Sequence, residues 1–176
     1  MVEEHGKLDW YDLLTRDWKL MALTALLGVG LHFAFQVWPS IVTEFFAPVN
    51  ESIWEHGKIV FWPLLLVLGL RDGRRRCGRW LLAALCATAL VIALGWVWHV
   101  ALGGSLPVMD VLIYAAGIVT AFLLAEWLPD RREMAPVAVG LTILFVALLL
   151  AFTLCPPRGT LFNDPALADA WVVLTC

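Results

Sequence analysis

The chain has 176 residues, 61% hydrophobic and only 15% charged, with a net charge of −3 and a mean hydropathy of +0.82. A soluble domain carries roughly 25% charged residues, so an ordinary soluble fold is excluded. Nothing in this balance points to nucleic acid, and the length leaves no room for a helical bundle plus a folded soluble domain. The four cysteines (Cys77, Cys86, Cys155 and Cys176) lack C-x-x-C spacing, which argues against a thiolate zinc site.

Residues 1–17 are acidic and mixed, with Glu3, Glu4, Asp9, Asp12 and Asp17, so no cleavable signal peptide is expected. Within them, Trp10, Tyr11, Leu14 and Trp18 fall at helical spacing. They predict a short amphipathic helix over residues 8–18 lying at the headgroup level, with a frayed polar tail as the alternative.

Five apolar runs come next. Span one covers Trp18 to Trp38 and stops at Pro39; at 1.5 Å per residue it is about 31 Å long. Pro39 to Asn50 reads as an interfacial connector. Span two, Ser52 to Leu70, contains Pro63, which deprives the Ile59 carbonyl of its usual partner. The basic loop 71–79 leads to span three, Trp80 to Leu102. The turn Gly103 to Pro107 leads to span four, Val108 to Leu128. Span five, Val137 to Cys155, ends at Pro156 and Pro157.

The expected fold is therefore all-α, an integral membrane bundle of five transmembrane helices. Residues 1–17 form a cytoplasmic interfacial segment, 18–155 the membrane domain and 156–176 an extracytoplasmic tail. Lys7, Arg16, Lys19, the arginines of the 71–79 loop, Arg131 and Arg132 all fall on one side, against Lys58 and Arg158 on the other. That bias places the N-terminus in the cytoplasm, the C-terminus outside and the protein in the inner membrane.

Topology assigns depths to the polar residues. His32 lies about 9 Å and His99 about 5 Å below the outer surface. Glu51, Glu55 and His56 open span two there, and Asp110 opens span four. Burying a charge costs at least ~2.5 kcal/mol, so these groups are expected to face one another or a wet cavity. Gly28, Gly95 and Gly103 share the histidine faces and permit close helix approach, with Gln36 and Tyr114 continuing the faces of His32 and Asp110.

Plainer roles exist for several of them. Ser52-Ile-Trp-Glu55 matches a helix capping box, and Lys58 is placed to neutralise Glu51 and Glu55. Each histidine has a hydrogen-bonded core role as its alternative. Glu126, near Arg131 and Arg132, reads as a structural ion pair. The arginine loop reads as a topology signal touching lipid headgroups, and Cys155 and Cys176 as a possible disulfide on the outer side.

The segment Phe46-Ala-Pro-Val-Asn-Glu-Ser-Ile-Trp-Glu-His-Gly-Lys58, with His32 before it and Phe61-Trp-Pro63 after it, resembles an uncharacterised family of small prokaryotic multi-pass membrane proteins. A looser likeness is to intramembrane zinc hydrolases of the alkaline ceramidase and adiponectin-receptor type, which gather histidines and a carboxylate from several helices. Those have seven spans, and this chain has no histidines paired four apart on one helix.

Three functions are expected to compete. The leading one is a zinc site in which His32, His56 and His99 are ligands, with Asp110, Glu51 or Glu55 as fourth ligand or general base, hydrolysing a lipid or other membrane-associated substrate. The second is an ion- or proton-coupled transporter using the Pro63 break, the acidic mouth and Glu126. The third is a haem- or pigment-binding protein with His32 and His99 as axial ligands, or an accessory subunit of a larger complex. Membrane lipids are the expected partners, with self-association or a larger membrane complex left open.

Overall fold

The computed structural model describes residues 10–73, 76–129 and 131–164, with side chains from Thr15 onward. The described residues are helical and contain no strand. Six helices run in the order α1 (Trp10–Val37), α2 (Ile41–Phe46), α3 (Ile53–Asp72), α4 (Cys77–Trp96), α5 (Pro107–Trp127) and α6 (Met134–Leu154), and a π-helical turn, Val97–Ala101, extends α4. All but α2 are long and apolar enough to cross a membrane. The chain is a multi-pass membrane protein.

Short connections make consecutive long helices antiparallel. One end of the bundle, the histidine end, holds the last turn of α1, the first turns of α3 and α5, and α2. The opposite, arginine end holds the first turn of α1 and the end of α3. The sequence pattern divides residues 8–18 from span one, but α1 runs from Trp10 without a break. The side chains of Trp10, Tyr11 and Leu14 lie outside the described residues, as does Cys176.

Half of the α3 span is buried, against 11% for α1 and for α6. The core therefore sits where α3, α4 and α5 meet: Val60, Leu64, Val67 and Leu68 pack on Ala83, Ala84 and Ala87, with Ile118, Ala121 and Phe122 closing the third side. Small residues make the α3–α4–α5 contact close. A Cβ at Gly57 would lie 3.0 Å from Ile92, and one at Gly117 would strike Val91. The outward faces of α1 and α6 carry Leu26, Phe33, Val137 and Ile143 exposed, as lipid-facing surfaces do.

Pro63 lies inside α3, which continues through it. The carbonyl it frees, that of Ile59, is met by the Tyr114 hydroxyl at 3.5 Å, and the same hydroxyl reaches the Thr24 and Ala25 carbonyls at 3.2 and 3.4 Å. One phenol thus joins α1, α3 and α5 at a single level.

At the arginine end the basic loop does more than mark topology. Arg71 reaches Asp17 at 2.9 Å, Glu126 at 2.5 Å and Asp72 at 3.1 Å, and Arg16 adds a 2.7 Å contact to Glu126. Asp17 and Arg79 are buried. Glu126 is an ion-pair residue as expected, but its partners are Arg71, Arg16 and, at 3.8 Å, Arg79 rather than Arg131 and Arg132. Proximity in sequence selected the wrong arginines, because α1 and α3 bring theirs to the same depth on facing sides.

Candidate functional site

The site is built on the entrance to α3. Ser52 is the N-cap and its hydroxyl accepts from the Glu55 N–H at 3.3 Å. The return half of the expected capping box is missing: the Ser52 N–H donates to Asn50 Oδ1 at 3.0 Å, and the Glu55 carboxylate turns away. The free N–H of Trp54 is met by the Leu161 carbonyl at 3.0 Å. Asp164 accepts from the Glu51 N–H at 3.3 Å. The segment after α6 therefore folds back over the site and completes the cap of α3.

Glu55 and Lys58 form a pair of their own. Their side chains are 3% and 1% exposed and 2.6 Å apart. Lys58 Nζ also donates to the Glu44 and Ala47 carbonyls, at 2.8 and 3.2 Å. The Glu55 carboxylate accepts from the Val49 N–H at 3.0 Å and from the Thr153 hydroxyl at 2.7 Å. All three ammonium protons and both carboxylate oxygens are engaged. Lys58 thus neutralises Glu55 and leaves Glu51 to another partner, and the arrangement of Glu55 is that of a structural residue.

That other partner is His56. Its Nε2 lies 3.4 Å from Glu51 Oε2, and its Nδ1 is 2.9 Å from the Ser52 carbonyl. A carbonyl only accepts, so Nδ1 carries a proton and Nε2 faces the carboxylate. The bond from His56 holds the Glu51 carboxyl below its ordinary range, against a smaller opposing effect of burial. His32 completes the group from α1: its ring centroid is 5.3 Å from that of His56, and its buried Nδ1 has no hydrogen-bond partner.

One ligating atom from each of His32, Glu51 and His56 lies within 4.8 Å of the others. Modest side-chain rotation closes that spread to the ~3.4 Å separations of a tetrahedral zinc site. A neutral His56 would otherwise point a lone pair at a carboxylate, so a cation, either a proton or a metal ion, belongs between them. The donor set of two imidazoles and one carboxylate fits zinc and leaves coordination positions open.

His99 and Asp110 stand apart from this group as a second pair. His99 Nε2 is 2.8 Å from Asp110 Oδ1 and its Nδ1 is 3.0 Å from the Gly104 carbonyl. Its Nε2 is turned to Asp110, and His99 lies outside the group that His32, Glu51 and His56 form. The cause is the π turn: Leu102 N–H bonds to the Val97 carbonyl five residues back, at 2.9 Å. One extra residue in a turn rotates the next part of the chain by about 100° relative to a regular α-helix. Nothing in the sequence signals that turn. The Gly103-Gly104 pair hints at the tight corner after it, with Gly103 at φ 65°.

The model of a family of unknown function (DUF6512) matches residues 11–169. The chain belongs to that family. Its matched range reaches across every helix and takes in all of the site residues, so the family is defined on the whole membrane bundle rather than on a fragment of it. No curated protein matches the chain, and no solved structure does.

Proposed function

We propose that this DUF6512 protein is a metal-dependent membrane hydrolase with a zinc centre held by His32, Glu51 and His56. The observation that carries the reading is the convergence of these three ligating atoms from α1, the α2–α3 connector and α3 within 4.8 Å. Zinc in such a site polarises a carbonyl and makes water nucleophilic near neutral pH. Its place beside the ends of α1 and α3 puts the reacting bond at headgroup depth, which suits an ester or amide of a membrane-embedded substrate. Such a centre would share with the alkaline ceramidase and adiponectin-receptor type of enzyme the gathering of imidazoles and a carboxylate from several helices.

The distribution of lysine and arginine supports an outward-facing site, a cytoplasmic N-terminus and residence in the inner membrane. Transport has less support. Between the two polar ends lie Val60, Leu64, Val67, Leu68, Ala84, Ala87 and Phe122, an apolar, buried layer. Haem held by His32 and His99 has less support, because His99 lies outside the group of His32, Glu51 and His56.

Elemental analysis of the purified protein tests the proposal. About one zinc per chain is expected, lost in the His32→Ala/His56→Ala variant and kept in Lys19→Ala. Equal metal content in wild type and the double histidine variant rules the centre out.

A further inference from the structure

Hydrolysis at a metal centre needs a group that takes the proton of the attacking water. Glu55 has both oxygens bonded to Lys58, Val49 and Thr153, and Glu51 is assigned to the metal. The geometry points to Asp110 as the proton acceptor, oriented by His99 as a positioning residue. This inference rests on the metal-centre reading above.

The placement comes from the Tyr114 junction. Its hydroxyl reaches the Ile59 carbonyl, and a Cβ on Gly28 would overlap it. Helix α1 runs toward the histidine end while α3 and α5 run away from it. About one turn nearer that end come His32, four residues after Gly28; His56, three before Ile59; and Asp110, four before Tyr114. Helical register thus brings residues 32, 56 and 110 to one level, about a turn beyond the junction.

The carboxylate is held rather than free. Gly104 O accepts from His99 Nδ1, and His99 Nε2 in turn holds Asp110 Oδ1 at 2.8 Å. The turn that delivers the Gly104 carbonyl needs glycine twice: Gly103 has φ 65°, and a Cβ on Gly104 would overlap the Trp98 ring. Asp110 remains half-exposed, its Oδ2 has no bond among the described residues, and it stands outside the group that would hold the ion. It is a neighbour of the centre and not a ligand.

The chemistry balances with water alone. A water beside the centre passes one proton to Asp110 Oδ2 as its oxygen bonds to the ester or amide carbonyl carbon. Asp110 then returns that proton to the departing alcohol or amine as the carbon–oxygen or carbon–nitrogen bond breaks.

The test uses the purified full chain loaded with cobalt(II), read by its visible absorption as a function of pH. Wild type is expected to bind cobalt and show an alkaline spectral transition. Asp110→Asn keeps the cobalt stoichiometry, and the midpoint falls by about one pH unit or more because a negative charge beside the centre is lost. His99→Ala shifts the midpoint, and His99→Gln, which retains a donor for Asp110, moves it back toward wild type. Loss of cobalt in Asp110→Asn makes Asp110 a ligand and overturns the inference; so does an unchanged midpoint. If Asp110→Asn fails to fold, equal midpoints in the two His99 variants overturn it instead. Failure of wild type to bind cobalt is a distinct result, and it defeats the metal-centre reading itself.

Discussion

Lys58 and Glu55 lie one turn apart on α3 and form an ion pair of 2.6 Å sealed from solvent, whose ammonium also holds the end of α2 through the Glu44 and Ala47 carbonyls. A cation at a helix C-terminus is favoured by the helix dipole, so one side chain both neutralises a buried carboxylate and clamps the α1–α3 connector. Glu51 is carried on that connector. The clamp therefore fixes the position of a proposed metal ligand that Lys58 does not touch.

Replacing Lys58 with Met keeps most of the volume and removes the charge, leaving Glu55 buried and unpaired. The expected cost is about 3–5 kcal/mol, measured by unfolding in detergent. The Lys58→Met/Glu55→Gln double variant recovers part of it. Equal stability of the single and double variants would show that the pair does not act as a unit.

How much of this was legible in the sequence depended on what each feature required. The spans, their order and the shared depth of His32, Glu51 and His56 need only length and the rise per residue, and the helices lie where the apolar runs put them. Rotation about a helix axis was harder to read. His99 has the right depth but the wrong azimuth, because the π turn at Val97–Ala101 leaves no mark in residue pattern. Partner choice failed for the same reason at Glu126, where Arg71, Arg16 and Arg79 come from other helices and outcompete the nearer Arg131 and Arg132. Tyr114 was visible only as a residue one turn from Asp110; its junction with Gly28 and Ile59 depends on three helices at once.

Arg71 is the hub of the opposite end, joined to Asp17, Asp72 and Glu126 with its side chain 11% exposed. Arg71→Lys keeps the charge but has no planar fork to meet three carboxylates. A loss of about 2–3 kcal/mol is expected for Arg71→Lys and more for Arg71→Met, which leaves the carboxylates unpaired. A thermal unfolding series in one detergent measures it. Full stability in Arg71→Lys would mean that a point charge suffices.

Acid should weaken the protein through Glu51. Its folded value is depressed, so its contribution to stability is present above the ordinary value near 4.5 and is lost as pH falls through the lower folded value. The side chain is 41% exposed, and solvent screening keeps the effect below about 1 kcal/mol. Unfolding midpoints compared at pH 7 and at pH below 4 should fall less in Glu51→Gln than in wild type.

Gly28 tests whether the helix junction sets the site above it. A Cβ there would overlap the Tyr114 hydroxyl and lie 2.6 Å from the Ile59 carbonyl oxygen. Backbone cannot yield as a flexible side chain does, so Gly28→Ala must push α1 away from α3 and α5. Overpacking of this kind costs about 1–3 kcal/mol. His32 sits one turn further along α1, and the same displacement carries its ring away from His56. Gly28→Ala is therefore expected to lower zinc affinity as well as thermal stability, although residue 28 bears no ligand. Adding Tyr114→Phe removes the nearest obstructing atom and should restore part of both. Gly30→Ala, whose Cβ would meet nothing within 4 Å, is the control. Zinc titration of the four proteins decides: if Gly28→Ala and Gly30→Ala bind zinc alike, the junction does not govern the spacing of the two histidines.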